Sequence, residues 1–394
     1  MKLTLRQQLT QFAHILQSSL FPTLAEELGV LGERAKRLVA TLEMIPLARF
    51  VPSSRGWIGR PSKDRQAVAR AFVAKAIYGL TTTSQLLERL SQDAQLRRIC
   101  GWSAAWQVPH ESTFSRAFAE FAKMELPQFV HETLIRETQK DRLIGHIARD
   151  STAIEARERF PETAVAVKAE KRPPGKRGPR NKGPRGPHKR WKGGKPRHAL
   201  PEGTRLHRQR SMSLTAMLAE LPNNCSIGVK TNSKGYQHYW RGYKLHLDVA
   251  DGQIPISAVL TGASVHDSQV AIPLATMSSQ RVTYCYELMD AAYDAQHIME
   301  HSREMGHVPI VDPPERGGRN KSTILPHTQR EFSWAEADRY KERTMIERVN
   351  GRLKDEFGAR FIRVRGAAKV MAHLMFGVLA LTVDQILRLG SEDG

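Results

Sequence analysis

Apolar residues recur at two different spacings along this chain, and the change divides it near residue 140. Up to that point the apolar positions follow helical spacing, as in DRQAVARAFVAKAIYGL (64–80) and ESTFSRAFAEFAKM (111–124). The pattern predicts a helical N-terminal domain over 1–140, which we interpret as a DNA-binding domain. Its two helices across 64–93 are equally compatible with a helix-turn-helix DNA reader and with an ordinary helical hairpin.

Beyond this point, strand patterns alternate with helical ones. DRLIGHIARD (141–150) predicts a buried strand that ends at Asp150, and RVTYCYELMD predicts another that ends at Asp290. Between them, YKLHLDVADGQIPISAVL (243–260) alternates apolar and polar residues on both sides of an Asp-Gly turn, which is typical of a β-hairpin. Together with the intervening helices, these strands predict a mixed sheet covered by helices, over 141–394.

A late segment, YKERTMIERVNGRLK (340–354), places its chemically active residues along one side of a predicted helix. Each helical residue turns by about 100°, so four of them share one stripe about 20 Å long. These four are Tyr340, Arg343, Glu347 and Lys354. The apolar residues of the segment cluster on the opposite side. The helix therefore packs by one face and presents a lone carboxylate among cations and an aromatic ring on the other.

Charge adds an expected class of partner to this picture. The chain of 394 residues has a formal net charge of +20, and +14 of it falls between residues 168 and 210. That tract is also rich in Pro and Gly and cannot form a core, so we expect a basic insertion at about 157–241. Such a balance favours a polyanion, although a solvated linker is the alternative. Candidate contacts to a nucleic-acid backbone are Lys189, Arg190 and Lys192.

The remaining composition argues against several classes of protein. Three widely spaced cysteines without a CxxC pair disfavour a disulfide framework or a cysteine zinc site and suit a reducing cytoplasm. The absence of an uninterrupted run of about 18 apolar residues predicts no membrane span. The start, MKLTLRQQLTQFAHIL, lacks the apolar core of a signal peptide and is expected to be a helix of the folded protein. Near the other end, AAKVMAHLMFGVLALTVDQIL predicts a buried apolar helix.

Three acids stand out once the strands and the late helix are placed. Asp150 and Asp290 end strands, where functional groups of α/β sheets collect, and Glu347 lies on the polar stripe. Three carboxylates held close together would resist ionising unless a cation neutralised them. Mg²⁺ and Mn²⁺ prefer such oxygen ligands. Two such ions about 3.5–4 Å apart can activate an attacking oxygen and stabilise a leaving oxygen in phosphodiester chemistry.

The order of these motifs resembles the bacterial insertion-sequence transposases of the DDE type, which have a ribonuclease-H-like catalytic core. YKERTMIERVNGRLK reproduces the spacings of two, three and six intervening residues in the family's tyrosine-arginine-glutamate-lysine signature. RDST around Asp150 and MDAAYD around Asp290 resemble its two aspartate motifs. GYKLHLDVADG followed by TGASVHDS resembles the hairpin region between them.

The resemblance implies that Asp150, Asp290 and Glu347 are catalytic and bind two Mg²⁺ ions, with Mn²⁺ as an alternative. It also implies that water first frees a 3′-hydroxyl at the element end, and that this hydroxyl then attacks target DNA. The implied partners are double-stranded terminal inverted repeats and target DNA, bound by a homodimer or higher oligomer in the cytoplasm, on the nucleoid. Three residues would contact transposon-end DNA: Tyr340, Arg343 and Lys354.

Two other functions stay open on the sequence alone, a metal-dependent DNA nuclease on the same core and a non-catalytic copy that only binds DNA. The other acids near the motifs have simpler interpretations. Asp267 is expected to lie at the start of a helix, and Asp294 is expected to cap the helix that begins after Tyr293. Asp248 is expected to be exposed on the polar face of the hairpin, and Glu155 to support the site without binding metal.

Overall fold

The structure is a computed structural model, and it describes residues 30–51, 64–158, 203–231, 236–312 and 332–392. The helix predicted at the start of the chain lies outside the described residues. So do the three candidate cations of the basic tract, Lys189, Arg190 and Lys192.

Helices form the described part of the chain up to residue 139, as predicted. They are α1 Glu33–Met44, α2 Leu47–Phe50, α3 Arg65–Ile77, α4 Thr83–Gln92, α5 Ala94–Cys100, α6 Glu111–Lys123 and α7 Leu126–Gln139. Asp64 begins α3 by accepting backbone N–H bonds of 2.8 and 3.3 Å. α3 is buried along nearly its whole length, whereas α4 buries only Leu86 and Leu90. Of this pair, therefore, α4 is the helix with a broad exposed face.

A mixed sheet of six strands follows. The strands are β1 Ile144–Glu155, β2 Ser226–Thr231, β3 Gln237–Ala250, β4 Ile254–Gly262, β5 Tyr284–Met289 and β6 Val308–Val311. Their order is β2-β3-β1-β5-β6, with β4 paired to β3. β1 is antiparallel to β3 and parallel to β5, and β5 is parallel to β6. The predicted hairpin is confirmed as β3 and β4, joined across Asp251-Gly252.

Helices cover both faces of this sheet, which confirms the predicted α/β, ribonuclease-H-like fold class next to a helical N-terminal region. They are α8 Arg205–Gln209, α9 Leu214–Glu220, α10 Ser268–Ser279, α11 Gln296–Glu304, α12 Trp334–Tyr340, α13 Thr344–Asp355 and α14 Ala367–Glu392. α8, α9 and β2 fall within the range in which the sequence predicts a basic insertion.

The closing helix α14 joins the N-terminal helices to the sheet. Its Phe376 ring stacks on Phe72 of α3 at 5.8 Å, and one continuous apolar cluster includes side chains of both helices and of the sheet. The stretch Ala367–Gly390 is long and apolar enough to cross a membrane, but 83% of its most apolar window is buried inside the protein. Packing in the core therefore accounts for its apolar character, and the predicted burial is confirmed.

A buried ion cluster ties three strands together. The Arg149 guanidinium of β1 is fully buried and donates to both carboxylate oxygens of Asp248 on β3, at 2.8 and 2.9 Å. It also donates to Glu287 on β5 at 3.1 Å. The prediction that Asp248 is exposed is therefore wrong. Because α10 covers that face of the hairpin and Ser278 donates to Asp248 at 2.7 Å, the polar side of the alternating pattern is buried as well.

Candidate active site

Asp150 and Asp290 lie side by side where β5 ends. Arg149 and Met289 are paired in the parallel ladder of β1 and β5, and each aspartate is the next residue along its own chain segment. β5 ends at Met289, one residue before the predicted end at Asp290, whereas β1 continues to Glu155 as a partner of β3. The prediction that β1 ends at Asp150 is wrong. The two aspartates lie where β1 is no longer paired with its parallel neighbour β5. The position of the site therefore depends on where β5 ends.

Local backbone geometry holds both carboxylates. The N–H of Ser151 donates to Asp150 Oδ1 at 2.7 Å, and the N–H of Ala292 donates to Asp290 Oδ1 at 3.0 Å. The second bond caps a short 3₁₀ turn, Ala291–Tyr293. Each aspartate is thereby fixed by the backbone that directly follows it.

The electrostatic environment of the pair disfavours its full ionisation. Burial, opposed by the hydrogen bond from Ser151 and assisted by the charge of Asp290, raises the pKa of Asp150 to about 6. Burial also raises the pKa of Asp290, and the charge of Asp267 acts in the same direction. Arg343 opposes these effects at both aspartates. Two buried carboxylates that repel each other form a site that a cation would stabilise.

The segment YKERTMIERVNGRLK (340–354) is not one continuous α-helix. α12 ends at Tyr340, a 3₁₀ turn spans Lys341–Arg343, and α13 begins at Thr344. The prediction of a single helix is wrong at this turn. The apolar face is buried as predicted, through Met345, Ile346, Val349, Leu353 and Phe357. Arg343 therefore belongs to a tight turn, which contacts both β1 and β5.

Arg343 is the cation that acts on all three predicted catalytic acids. Its Nη2 donates to Glu347 Oε1 at 2.7 Å, and its charge lowers the pKa of both Asp150 and Asp290. Its guanidinium also lies over the Tyr340 ring, 5.8 Å from the centroid, and burial raises the pKa of that tyrosine to about 12. The signature thus brings Tyr340, Arg343 and Glu347 to the aspartates.

The three carboxylates are not gathered into one coordination site. The Glu347 side chain is 56% exposed and paired with Arg343. Within the described ranges, no three His, Cys, Asp or Glu side chains are close enough together to hold a metal ion. The structure therefore brings Asp150 and Asp290 together and holds Glu347 beside them, on the far side of an ion pair.

Lys354 lies in a separate group of charges. Burial lowers its pKa, and the charges of Arg360 and of Lys230 on β2 act in the same direction. Glu155, at the end of β1, belongs to this group, because its charge acts on Lys354. Lys354 and Lys230 thus belong to a group of charges that does not include the paired aspartates.

Asp267 is a further acid near the site that sequence reasoning missed. It lies at the start of α10, as predicted, but its side chain makes no capping bond there. It instead accepts bonds of 2.9 Å from both Lys244 Nζ and Ser151 Oγ. Its charge raises the pKa of Asp150 and of Asp290. The available signal was its place in TGASVHDS, a motif that the resemblance already included.

Asp294 does not lie at the predicted capping position of the following helix. The residue that precedes α11 is Ala295, and it provides no side-chain capping bond. In this motif the capping acid is Asp290, which begins the 3₁₀ turn. Capping and the predicted catalytic role therefore fall on the same carboxylate.

The residues present fit a divalent cation. The donors are carboxylate oxygens, which Mg²⁺ and Mn²⁺ prefer. Burial raises the pKa of both aspartates, the charge of Asp290 adds to this at Asp150, and the charge of Asp267 adds to it at both. A bound cation would oppose this repulsion between carboxylates. Asp150 and Asp290 could hold the ion directly, and Glu347 could join them if its carboxylate left Arg343.

Comparison with known protein families gives two matches. Residues 203–383 match the family described as "Transposase DDE domain", and residues 29–120 match "Transposase domain (DUF772)". Together the two matches span more than half of the chain. The first contains Asp290 and Glu347, whereas Asp150 lies between the two matched regions. No curated protein and no solved structure matches the chain.

Proposed function

Because this chain is an insertion-sequence DDE transposase, we propose that it cuts DNA at the ends of its element and joins the freed strands to target DNA, with the help of two Mg²⁺ ions. The observation that supports this most is the placement of Asp150 and Asp290 side by side at the end of β5. Their raised pKa values mark a site that favours a divalent cation.

Glu347 is the proposed third ligand, and its pairing with Arg343 does not prevent that role. The side chain is 56% exposed, and exposed ion pairs contribute only about 0–1 kcal/mol. A rotamer change at Glu347 therefore requires little free energy when a cation binds the aspartates. When bound, the ions supply an activated water or hydroxyl and stabilise the leaving oxygen.

The same change assigns a task to Arg343. Released from Glu347, its guanidinium lies beside the aspartates and is free to bind the scissile phosphate through paired N–H donors. Tyr340 packs against it and limits its conformations. Lys354, grouped with Lys230 and Arg360, is placed to hold a phosphate further along the DNA.

The rest of the chain would bind DNA outside the reaction centre. We assign non-specific backbone contact to the basic tract through Lys189, Arg190 and Lys192, and duplex binding to the helical N-terminal region. The enzyme would act in the cytoplasm as a homodimer or higher oligomer, because both element ends must be held together. The mass of the DNA complex, measured by light scattering, tests that stoichiometry.

A reaction with purified protein tests the proposal. The protein is incubated with Mg²⁺, DNA that carries the inverted repeats flanking the reading frame, and a target plasmid. Strand joining supports a transposase. Cleavage without joining would indicate a nuclease on the same fold, and binding alone would indicate a non-catalytic DNA-binding protein. A variant with Asp150→Asn and Asp290→Asn is the control that should neither cut nor join.

A further inference from the structure

Asp267 is held rigidly beside the paired aspartates. Ser151 connects them, because its N–H donates to Asp150 at 2.7 Å while its Oγ donates to Asp267 at 2.9 Å. Lys244 Nζ donates to the same oxygen of Asp267 at 2.9 Å and is anchored in turn on the carbonyl of Val265 at 3.0 Å. Asp267 is therefore ionised and fixed in place.

A buried hydroxyl points into this group of acids. Tyr293 is only 1% exposed, and its ring packs in an apolar cluster with Met289 and Ile272. Its hydroxyl has no hydrogen-bond partner in the part of the chain that the structure describes. Burial raises its pKa well above the ordinary value, and the charges of three acids, Asp267, Asp150 and Asp290, act in the same direction. The phenol is thus a neutral donor, and a buried donor of this kind requires an acceptor.

A second buried polar atom without a partner among the described residues, Nδ1 of His246, lies near Asp267. The Thr261 hydroxyl donates to the carbonyl of Gly262 at 3.2 Å, so at 2.9 Å it accepts from His246 Nε2. The histidine is fully buried and burial lowers its pKa to about 4, so the ring is neutral and its Nδ1 is an acceptor. That Nδ1 has no partner among the described residues and lies 3.9 Å from Asp267 Oδ1. Two acceptors at this distance need a shared donor, such as water.

We propose that Asp267, Tyr293 and His246 hold the water ligands of a divalent cation that Asp150 and Asp290 bind directly. This inference rests on the proposed metal-dependent function. Mg²⁺ keeps several waters in its coordination shell and is bound through one or two protein carboxylates. Those waters donate to acceptors such as Asp267, His246 Nδ1 and the Tyr293 oxygen, and the Tyr293 O–H can in turn donate to a carboxylate oxygen. Replacing a residue that holds metal ligands in this way typically weakens metal binding by about 10–100-fold.

Binding of Mn²⁺ to the DNA-free full-length protein tests the proposal, because unbound Mn²⁺ can be measured by electron paramagnetic resonance. We expect Tyr293→Phe to raise the Kd for Mn²⁺ by about tenfold. The same variant should not lower the Tm of the metal-free protein, since it keeps the ring and removes only an unpartnered hydroxyl. Tyr284→Phe is the matched control. Its hydroxyl donates to Glu287 at 2.7 Å, so its loss should lower the Tm and leave the Kd unchanged.

Asp267→Asn should also raise the Kd by about tenfold or more, whereas Asp294→Asn, which removes an exposed charge from the neighbouring motif, should leave it unchanged. The Asp150→Asn variant separates this inference from the proposed function. If Asp150→Asn weakens Mn²⁺ binding while Tyr293→Phe leaves the Kd unchanged, the water-holding role is wrong and the metal site stands. If Asp150→Asn leaves Mn²⁺ binding unchanged, the proposed metal site fails as well.

Discussion

Asp150 should reduce the stability of the metal-free protein at neutral pH, and its replacement by asparagine should restore that stability. The folded environment raises the pKa of this carboxyl from 3.8 to about 6, mainly through burial. The folded protein therefore binds the proton more tightly than the unfolded chain does. At a pH between these two pKa values, folding is accompanied by the uptake of a proton. The free energy of unfolding therefore falls as the pH rises through this range and stays low above about pH 6.

The size of the effect follows from this difference. Each unit of pKa corresponds to about 1.4 kcal/mol, so the charged Asp150 costs about 3 kcal/mol at pH 7.5. At pH 4.5 the cost is about 1 kcal/mol, because most folded molecules still carry the proton. Asp150→Asn removes the charge and keeps an oxygen that can accept from the Ser151 N–H. It should therefore gain about 2 kcal/mol more stability at pH 7.5 than at pH 4.5.

Thermal unfolding in EDTA measures this gain at both pH values. We expect the Tm of Asp150→Asn to exceed that of the natural protein by at least a few degrees at pH 7.5 and by clearly less at pH 4.5. Added Mg²⁺ should narrow the gap at pH 7.5 by stabilising only the natural protein. Asp294→Asn, at an exposed position, should change the Tm little at either pH. An equal gain at both pH values, or a loss at pH 7.5, would refute the reasoning.

Three further changes test other parts of the molecule. Glu347→Gln should abolish strand cleavage while DNA affinity, measured by fluorescence anisotropy, stays near its natural value; normal cleavage would exclude Glu347 from the reaction. Arg149→Met should lower the free energy of unfolding by about 3–5 kcal/mol in a urea titration, because two buried carboxylates lose their cation, and a loss below about 1 kcal/mol would contradict that account. Replacing Lys189, Arg190 and Lys192 with glutamine should weaken binding to all DNA sequences and reduce its salt dependence; an unchanged salt slope would leave the tract as a linker.

Local patterns predicted the elements of this protein well. The alternation in β3 and β4, the strand that leads to Asp290 and the buried face of α13 all depend on side-chain periodicity, which reports which side of an element packs. The same periodicity failed at Asp248, because it does not show what covers the opposite side. A hairpin with one exposed face and a hairpin covered by helices on both faces have the same alternating pattern.

The signature residues illustrate the same limit within the site. Spacing placed Tyr340, Arg343 and Glu347 on one side of the chain, and the structure keeps them together around Arg343. Spacing could not show that a 3₁₀ turn interrupts the helix, or that Glu347 pairs with Arg343. A continuous helix and a helix interrupted by a 3₁₀ turn differ by a small conformational free energy. The contacts that the turn makes with β1 and β5 decide between them.

Residue type and local period identify the candidate reacting groups and their order, because both are properties of neighbouring positions in the chain. The point at which β1 loses its parallel neighbour, and hence where Asp150 and Asp290 meet, depends on how the strands pack in three dimensions. That packing also brings Asp267 beside them, through Ser151, which lies 116 positions away. Contacts over such separations depend on how the strands are ordered and covered, which no local pattern specifies.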